Sequence, residues 1–175
     1  MATVLYILGA IVLLIVVLAL LAPSKYDVNR SIEINKPVGE VFDYLKFVKN
    51  QDEWSPWKKK DPNMKQTHSG TDGKAGFTVK WEGNKDVGVG EQEIKKITKN
   101  KSIETELRFY KPFKSQSDAY LNVEKLADDK TKVIWGFTGT NKFPMSIFML
   151  FMNMDKAVGK DFEQGLADLK SILEK

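Results

Sequence analysis

Glu91 and Glu93 are the residues whose types and spacing most directly suggest chemistry. They lie two apart in a stretch that alternates like a strand, so both side chains leave the same face. Paired carboxylates can do acid–base work if they are buried, whereas strand carboxylates left in water do not. Asp155, on the C-terminal helical segment, completes the set of candidate catalytic residues. His68 is the one histidine, and the chain has no cysteine. A zinc site would need carboxylates alone around that imidazole, so no metal centre is expected, and neither is a disulfide framework or a thiol nucleophile. His68 is expected in an exposed strand or turn. Ser55 precedes a proline and does not resemble a nucleophile elbow. Gly88-Val-Gly90 lacks both the continuing glycine and the following helix of a dinucleotide site, and glycines there are expected to let a sheet bend. No cofactor is expected.

A second group of residues could bind rather than react. Trp54 and Trp57 sit in Trp54-Ser-Pro-Trp57, where they could form a lid over a pocket mouth or hold a packed loop together. Phe148, Met149, Phe151, Met152 and Met154 are more apolar side chains than one buried stripe needs. Such thioethers and rings suit ligands of variable shape, the end of a core, or contact with a bilayer. Phe77, Trp81, Phe109 and Trp135 are expected to point inward from strands, either as core or as pocket lining. Lys58-Lys59-Lys60 is read as a solvated run or as a contact for anionic headgroups. Nucleic acid is not an expected partner: the net charge is only +4, from 27 basic and 23 acidic residues, and no reader motif is present.

The elements that must position these groups begin with Ala2 to Ala22, a run without a charge. As a helix it would span roughly 30 Å, the thickness of a bilayer core. A signal peptide is the competing reading, but no Lys or Arg precedes the run and Leu20-Leu21-Ala22-Pro23 lacks an A-x-A cleavage pattern. We expect a transmembrane helix over 2–22, a short linker over 23–27 and one domain over 28–175. Lys25, Arg30 and Lys36 follow the span, so the positive-inside rule predicts a single-pass membrane protein with its domain facing the cytoplasm.

From within the end of the linker, Tyr26 to Ile34 alternates as a half-buried strand with Arg30 as the one charge on its apolar side. Val38 to Lys46 has helical spacing, a second short helix is expected over 47–53, and 54–63 reads as an ordered loop broken by two prolines. Strands are expected near 64–69, 75–82, 87–98, 102–110, 115–126 and 131–140. Short turns such as Thr71-Asp-Gly73 and Asp128-Asp129 join them as antiparallel hairpins. One long helix is expected from Pro144 to about Glu174, with a stripe of Ile147, Phe151, Met154, Val158, Phe162, Leu166, Leu169 and Leu173.

An apolar sheet face of this size must be covered, and the last helix is the element long enough to cover it. The order of elements resembles the helix-grip fold of the SRPBCC superfamily, the START and birch-pollen-allergen-like proteins. It is most similar to the branch of polyketide cyclases, dehydrases and lipid transport. The resembling residues are Ile34-Asn-Lys-Pro-Val-Gly-Glu-Val-Phe42, Trp54-Ser-Pro-Trp57 with Asp61-Pro62, Gly83-Asn84 with Val87 to Ile94, and Gly159 to Lys170. The resemblance implies an α+β fold: a curved antiparallel sheet of about seven strands around a long C-terminal helix, here preceded by one transmembrane helix. It also implies a cavity between helix and sheet. The expected function is a membrane-anchored binding module for a lipid-like or other hydrophobic small molecule, next to the lipid bilayer. A cyclase or dehydratase acting on an apolar substrate is the alternative, as is a partner-binding domain whose cavity is filled by its own side chains.

Overall fold

The computed structural model describes residues 2–22, 25–140, 143–148, 150 and 153–175. Helix α1 (Ala2–Leu21) is apolar on every side and buries none of its residues against the rest of the chain. It is long and apolar enough to cross a membrane, a property it shares with signal sequences.

The domain begins directly afterwards. Strand β1 (Lys25–Ile34) already pairs at Lys25, so three residues expected in the linker, Lys25 to Asp27, belong to the sheet. Helix α2 (Val38–Leu45) follows Pro37 and buries Val41, Phe42 and Leu45. A 3-10 turn at Val48–Asn50 leads into α3 (Gln51–Trp54) and α4 (Pro56–Lys60). The region expected to be a loop thus holds a helix. Pro56 occupies its first turn, where the missing N–H costs nothing because that donor would have no intrahelical partner.

Six further strands follow: β2 (Lys65–Ser69), β3 (Thr78–Glu82), β4 (Val89–Thr98), β5 (Ser102–Lys111), β6 (Ser115–Ala127) and β7 (Lys130–Thr140). They form with β1 one antiparallel sheet of seven strands in the order β1-β7-β6-β5-β4-β3-β2. Register shifts between Val89 and Gly90 and between Ile94 and Lys96 mark where β4 departs from regular pairing with β5, the kind of irregularity that bends and twists a sheet.

The C-terminal segment departs from expectation. In place of one helix from Pro144 there is a single turn, α5 (Met145–Phe148), and then the long α6 (Met154–Leu173). The apolar stripe runs through both, but Asn153 starts a new helix. Its backbone is extended, its side chain accepts a hydrogen bond from the Lys156 N–H, and Asp155 stands in the first turn. Such a cap and a carboxylate at the positive end of the helix dipole favour initiation at that residue.

Helix α6 runs alongside β1 in the same direction. Arg30, the charge on the apolar side of β1, reaches Asp155 at 2.7 Å and Glu163 at 2.6 Å near the start of α6. Asn35, just past the end of β1, donates its N–H to Glu174 at 2.6 Å. Gly159 makes the first contact possible, since a Cβ there would lie 2.2 Å from the Arg30 guanidinium. The main core lies between α6, α2, α3 and the β1, β5, β6 and β7 strands, with Ile34, Val41, Val133, Leu166 and Leu169 fully buried. Each such side chain stabilises the fold by roughly 1.5–3 kcal/mol relative to exposure. A smaller cluster of Val48, Phe77, Val79 and Ile94 closes the β3–β4 side.

Candidate ligand cavity

The sheet does not lie flat on α6. A cavity of about 780 Å³ remains between α3, α4 and α6 on one side and the concave face of β2 to β7 on the other. Ligand sites commonly fall in this size range. Alternation puts every second strand residue on that face. Val79 and Trp81 enter from β3, Gln92 from β4, Leu107 and Phe109 from β5, Ala119 from β6, and Trp135 and Phe137 from β7. From the helices come Trp57, Met154, Val158 and Phe162.

Two aromatic groups form the walls. On the α6 side Trp135 stacks on Phe162 at 4.3 Å, and Trp57 meets both edge-on at 5.4 and 5.9 Å. On the far side Trp81 meets Phe109 edge-on at 5.7 Å. Gly90 permits this position of Trp81: the two residues are cross-strand partners, and a Cβ on Gly90 would sit 2.5 Å from the indole ring. Polar side chains surround these walls, and several are engaged with one another. Gln92 donates to the Thr105 hydroxyl at 3.2 Å, Gln66 donates to Asp52 at 2.9 Å, and Tyr26 shares a hydrogen bond with Ser117 at 2.9 Å. Lys49, Lys58, Lys111 and Lys114 are also on the lining. The cavity thus combines apolar aromatic walls with a polar and partly basic margin.

The expected site residues divide. Trp57, Trp81, Phe109 and Trp135 line the cavity. Trp54 does not: it is fully buried in the core, edge-on to Trp135 at 4.8 Å, and so holds a wall in place from behind. Phe77 is buried in the smaller cluster with His68 stacked over it. His68 lies on β2, exposed, and its side chain reaches the cavity lining. Phe151 and Met152 lie outside the described residues, as does the Phe148 side chain. Of the lysine run, Lys59 and Lys60 are drawn onto α6 by Asp168 at 2.5 Å and Asp161 at 2.6 Å, which ties α4 to that helix.

The candidate catalytic carboxylates are all held away from the cavity. Glu91 and Glu93 share a face, but it is the convex one. Glu91 is only 7% exposed, and the guanidinium of Arg108 on β5 bonds Glu91, Glu93 and Glu106 together. Burial works to raise the Glu91 pKa, but hydrogen bonds from Arg108 and Tyr110 and the charge of Lys80 outweigh it and hold the carboxyl below its ordinary value. Arg108 and Lys95 depress Glu93 in the same direction. Asp155 is exposed, and Arg30 lowers its pKa. None of the three has the raised pKa of a general acid at neutral pH.

Leu107, Phe137, Val158, Phe162 and Gln92 were not singled out by sequence as site residues. The first four carried a usable signal, because Leu107 shares a strand face with Phe109 and Phe137 with Trp135, and Val158 and Phe162 belong to the helix stripe. Arg108 carried none, since its partners are set by cross-strand register.

No family model and no curated protein matches this sequence. Many solved structures match its fold. A protein from Mesorhizobium loti superposes with a TM-score of 0.62 at 14% identity, covering 85% of this chain and 97% of that one. The Zhui aromatase/cyclase from Streptomyces sp. R1128 gives 0.61 at 11% identity, covering 86% and 94%. Ara h 8.0201 gives 0.57 at 13% identity, covering 85% and 97%. At such identities the likeness shows the fold alone, a helix grip.

Proposed function

We propose that this protein is a membrane-anchored binding module that holds a lipid-like or other hydrophobic small molecule between α6 and the curved sheet. The observation that carries the reading is the cavity of about 780 Å³ walled by Trp57, Trp81, Phe109, Trp135 and Phe162. Leaving that much aromatic surface unfilled forfeits dispersion contacts that a bound apolar molecule would restore. Its size argues against a domain whose cavity is closed by its own side chains, as far as the described residues go. A cyclase-type enzyme is the less favoured alternative, because Glu91, Glu93 and Asp155 are held in ion pairs away from the cavity. Helix α1 is read as the anchor, with the domain on the cytoplasmic side.

The test is chemical. Residues 25–175 contain both hydrophobic clusters and are the part to purify without α1. Denaturing extraction and mass spectrometry should find an apolar molecule near one per chain. A domain that is always empty, and that takes up no fluorescent fatty acid or polycyclic probe, would overturn the reading.

A further inference from the structure

The order of the sheet fixes which end of it lies near the membrane. Lys25, the first residue of β1, follows Leu21 by four residues, so whatever path the chain takes between them it lies within about 14 Å of the end of α1. Lys25 pairs with Thr140 at the end of β7. Because every neighbour is antiparallel, the start of β6 and the end of β5 lie at this same end of the sheet. The turn joining them is Pro112-Phe113-Lys114, with Lys111 before it. The start of α6 points toward this end too, since Arg30 in mid-strand holds Asp155 while Asn35, past the far end of β1, bonds Glu174.

This end also carries apolar surface that no fold requirement explains. Phe113 is 71% exposed at the tip of the turn, and Phe143, shortly after β7, is 62% exposed. Leu150, between α5 and α6, is exposed as well. A large aromatic ring in water is unfavourable by an amount set by its bare area, so two of them following strand ends on this side of the sheet mark a contact surface. The cavity reaches the same place: Lys111 to Gln116, Thr140 and Met154 are part of its lining.

We propose that this end of the domain is a bilayer-docking face. Phe113 inserts below the headgroups, Lys111 and Lys114 meet anionic phosphates, and the cavity mouth is pressed against the lipid phase. The proposal rests on the reading of α1 as a membrane span, and it commits the occupant of the face to the membrane in which that helix sits. Tether length, the exposed rings and the flanking charge all point to the same surface. The consequence is directional. A ligand enters and leaves through the membrane without crossing water, and a fixed anchor keeps the domain loading from one membrane where a free domain would shuttle between two.

The absence of cysteine makes the test clean. Single variants Phe113→Cys, Leu126→Cys and Leu13→Cys of the full chain would carry an environment-sensitive fluorophore. Leu126 is 46% exposed near the opposite end of the sheet, and Leu13 lies midway along α1. Each protein is reconstituted in phosphatidylcholine vesicles, with and without phosphatidylglycerol, and challenged with nitroxide-labelled lipids. The expected result is blue-shifted, lipid-quenched emission at 13 and 113 and a water-like, unquenched signal at 126. Quenching at 113 should increase with phosphatidylglycerol, and Lys111→Glu with Lys114→Glu should abolish that increase. A quenched label at 13 with a water-like label at 113 in both lipids overturns the docking face alone. A water-like label at 13 overturns the anchor and the docking face together. Neither result alters the ligand extraction from residues 25–175, so the binding reading stands or falls separately.

Discussion

The two faces of β3, β4 and β5 are built from alternate residues of the same strands and have opposite characters. On the concave face Trp81, Leu107 and Phe109 leave a space. On the convex face Lys80, Glu91, Glu93, Glu106, Arg108 and Tyr110 close one, by ion pairing and hydrogen bonding around a single guanidinium. Glu93 and Glu106 are direct cross-strand partners, a like-charge pairing that is unfavourable unless a cation bridges it. Arg108 is that cation. The residues that looked most like chemistry in the sequence therefore hold strands together, and those that looked like core line the site. Because the side-chain period of a strand is two, one step along the chain separates the roles.

Changing each face in turn should separate these roles. The largest effect is expected at Trp135, where both functions of the concave face meet, since its ring supports Trp54 behind and forms cavity wall in front. Trp135→Ala should cost about 3–5 kcal/mol in urea unfolding and should also empty the cavity in the extraction assay. An unfolding midpoint close to wild type would mean that this wall is not part of the core. Next comes the convex face. Arg108→Met leaves Glu91 buried without its partner and Glu93 opposite Glu106, and should cost about 1–3 kcal/mol, with the lower bound reflecting partial solvent screening. Ligand content measured at saturating probe should stay unchanged. If it falls in step with stability, the two faces are not independent.

A smaller effect on binding alone is expected at Leu107. Leu107→Trp puts bulk into the cavity from a partly exposed position. Probe affinity should fall at least about tenfold, near 1.4 kcal/mol, while stability changes by less than about 1.5 kcal/mol, as for other tolerated apolar exchanges. Unchanged affinity would place the ligand elsewhere.

How far the sequence could go follows from what each pattern encodes. Alternation in 102–110 and 131–140 located β5 and β7 and their inward faces, because burial on one side of a pleat leaves a period that needs no knowledge of neighbours. The stripe from Ile147 to Leu173 located the covering helix but not its break, because a cap at Asn153 is a local hydrogen bond superimposed on a period that continues through it. Trp54 and Trp57 could not be told apart, since only the fold decides that one ring goes behind Trp135 and the other in front. Glu91 and Arg108 are separated by a hairpin, and their meeting depends on the register of β4 against β5. Whether the sheet would close on α6 or stand off from it depends on curvature, which Gly88 and Gly90 suggested without fixing its extent.

The smallest effect concerns pH and refines the contrast. Glu91 and Glu93 have folded-state pKa values below their ordinary value of 4.5. A carboxylate depressed by folding contributes stability that is fully present above the unfolded value and is lost as pH falls through the folded one. The wild-type domain should therefore lose stability steeply below about pH 4. In Arg108→Met the main stabilising partner is gone while burial still favours the neutral acid, so Glu91 should titrate higher than in the wild type. The variant should regain relative stability as the pH falls, and the two unfolding midpoints should converge toward pH 3. Curves that stay parallel between pH 6 and pH 3 would show that Arg108 stabilises the sheet by packing its stem, and that the carboxylates around it carry no part of the difference between the faces.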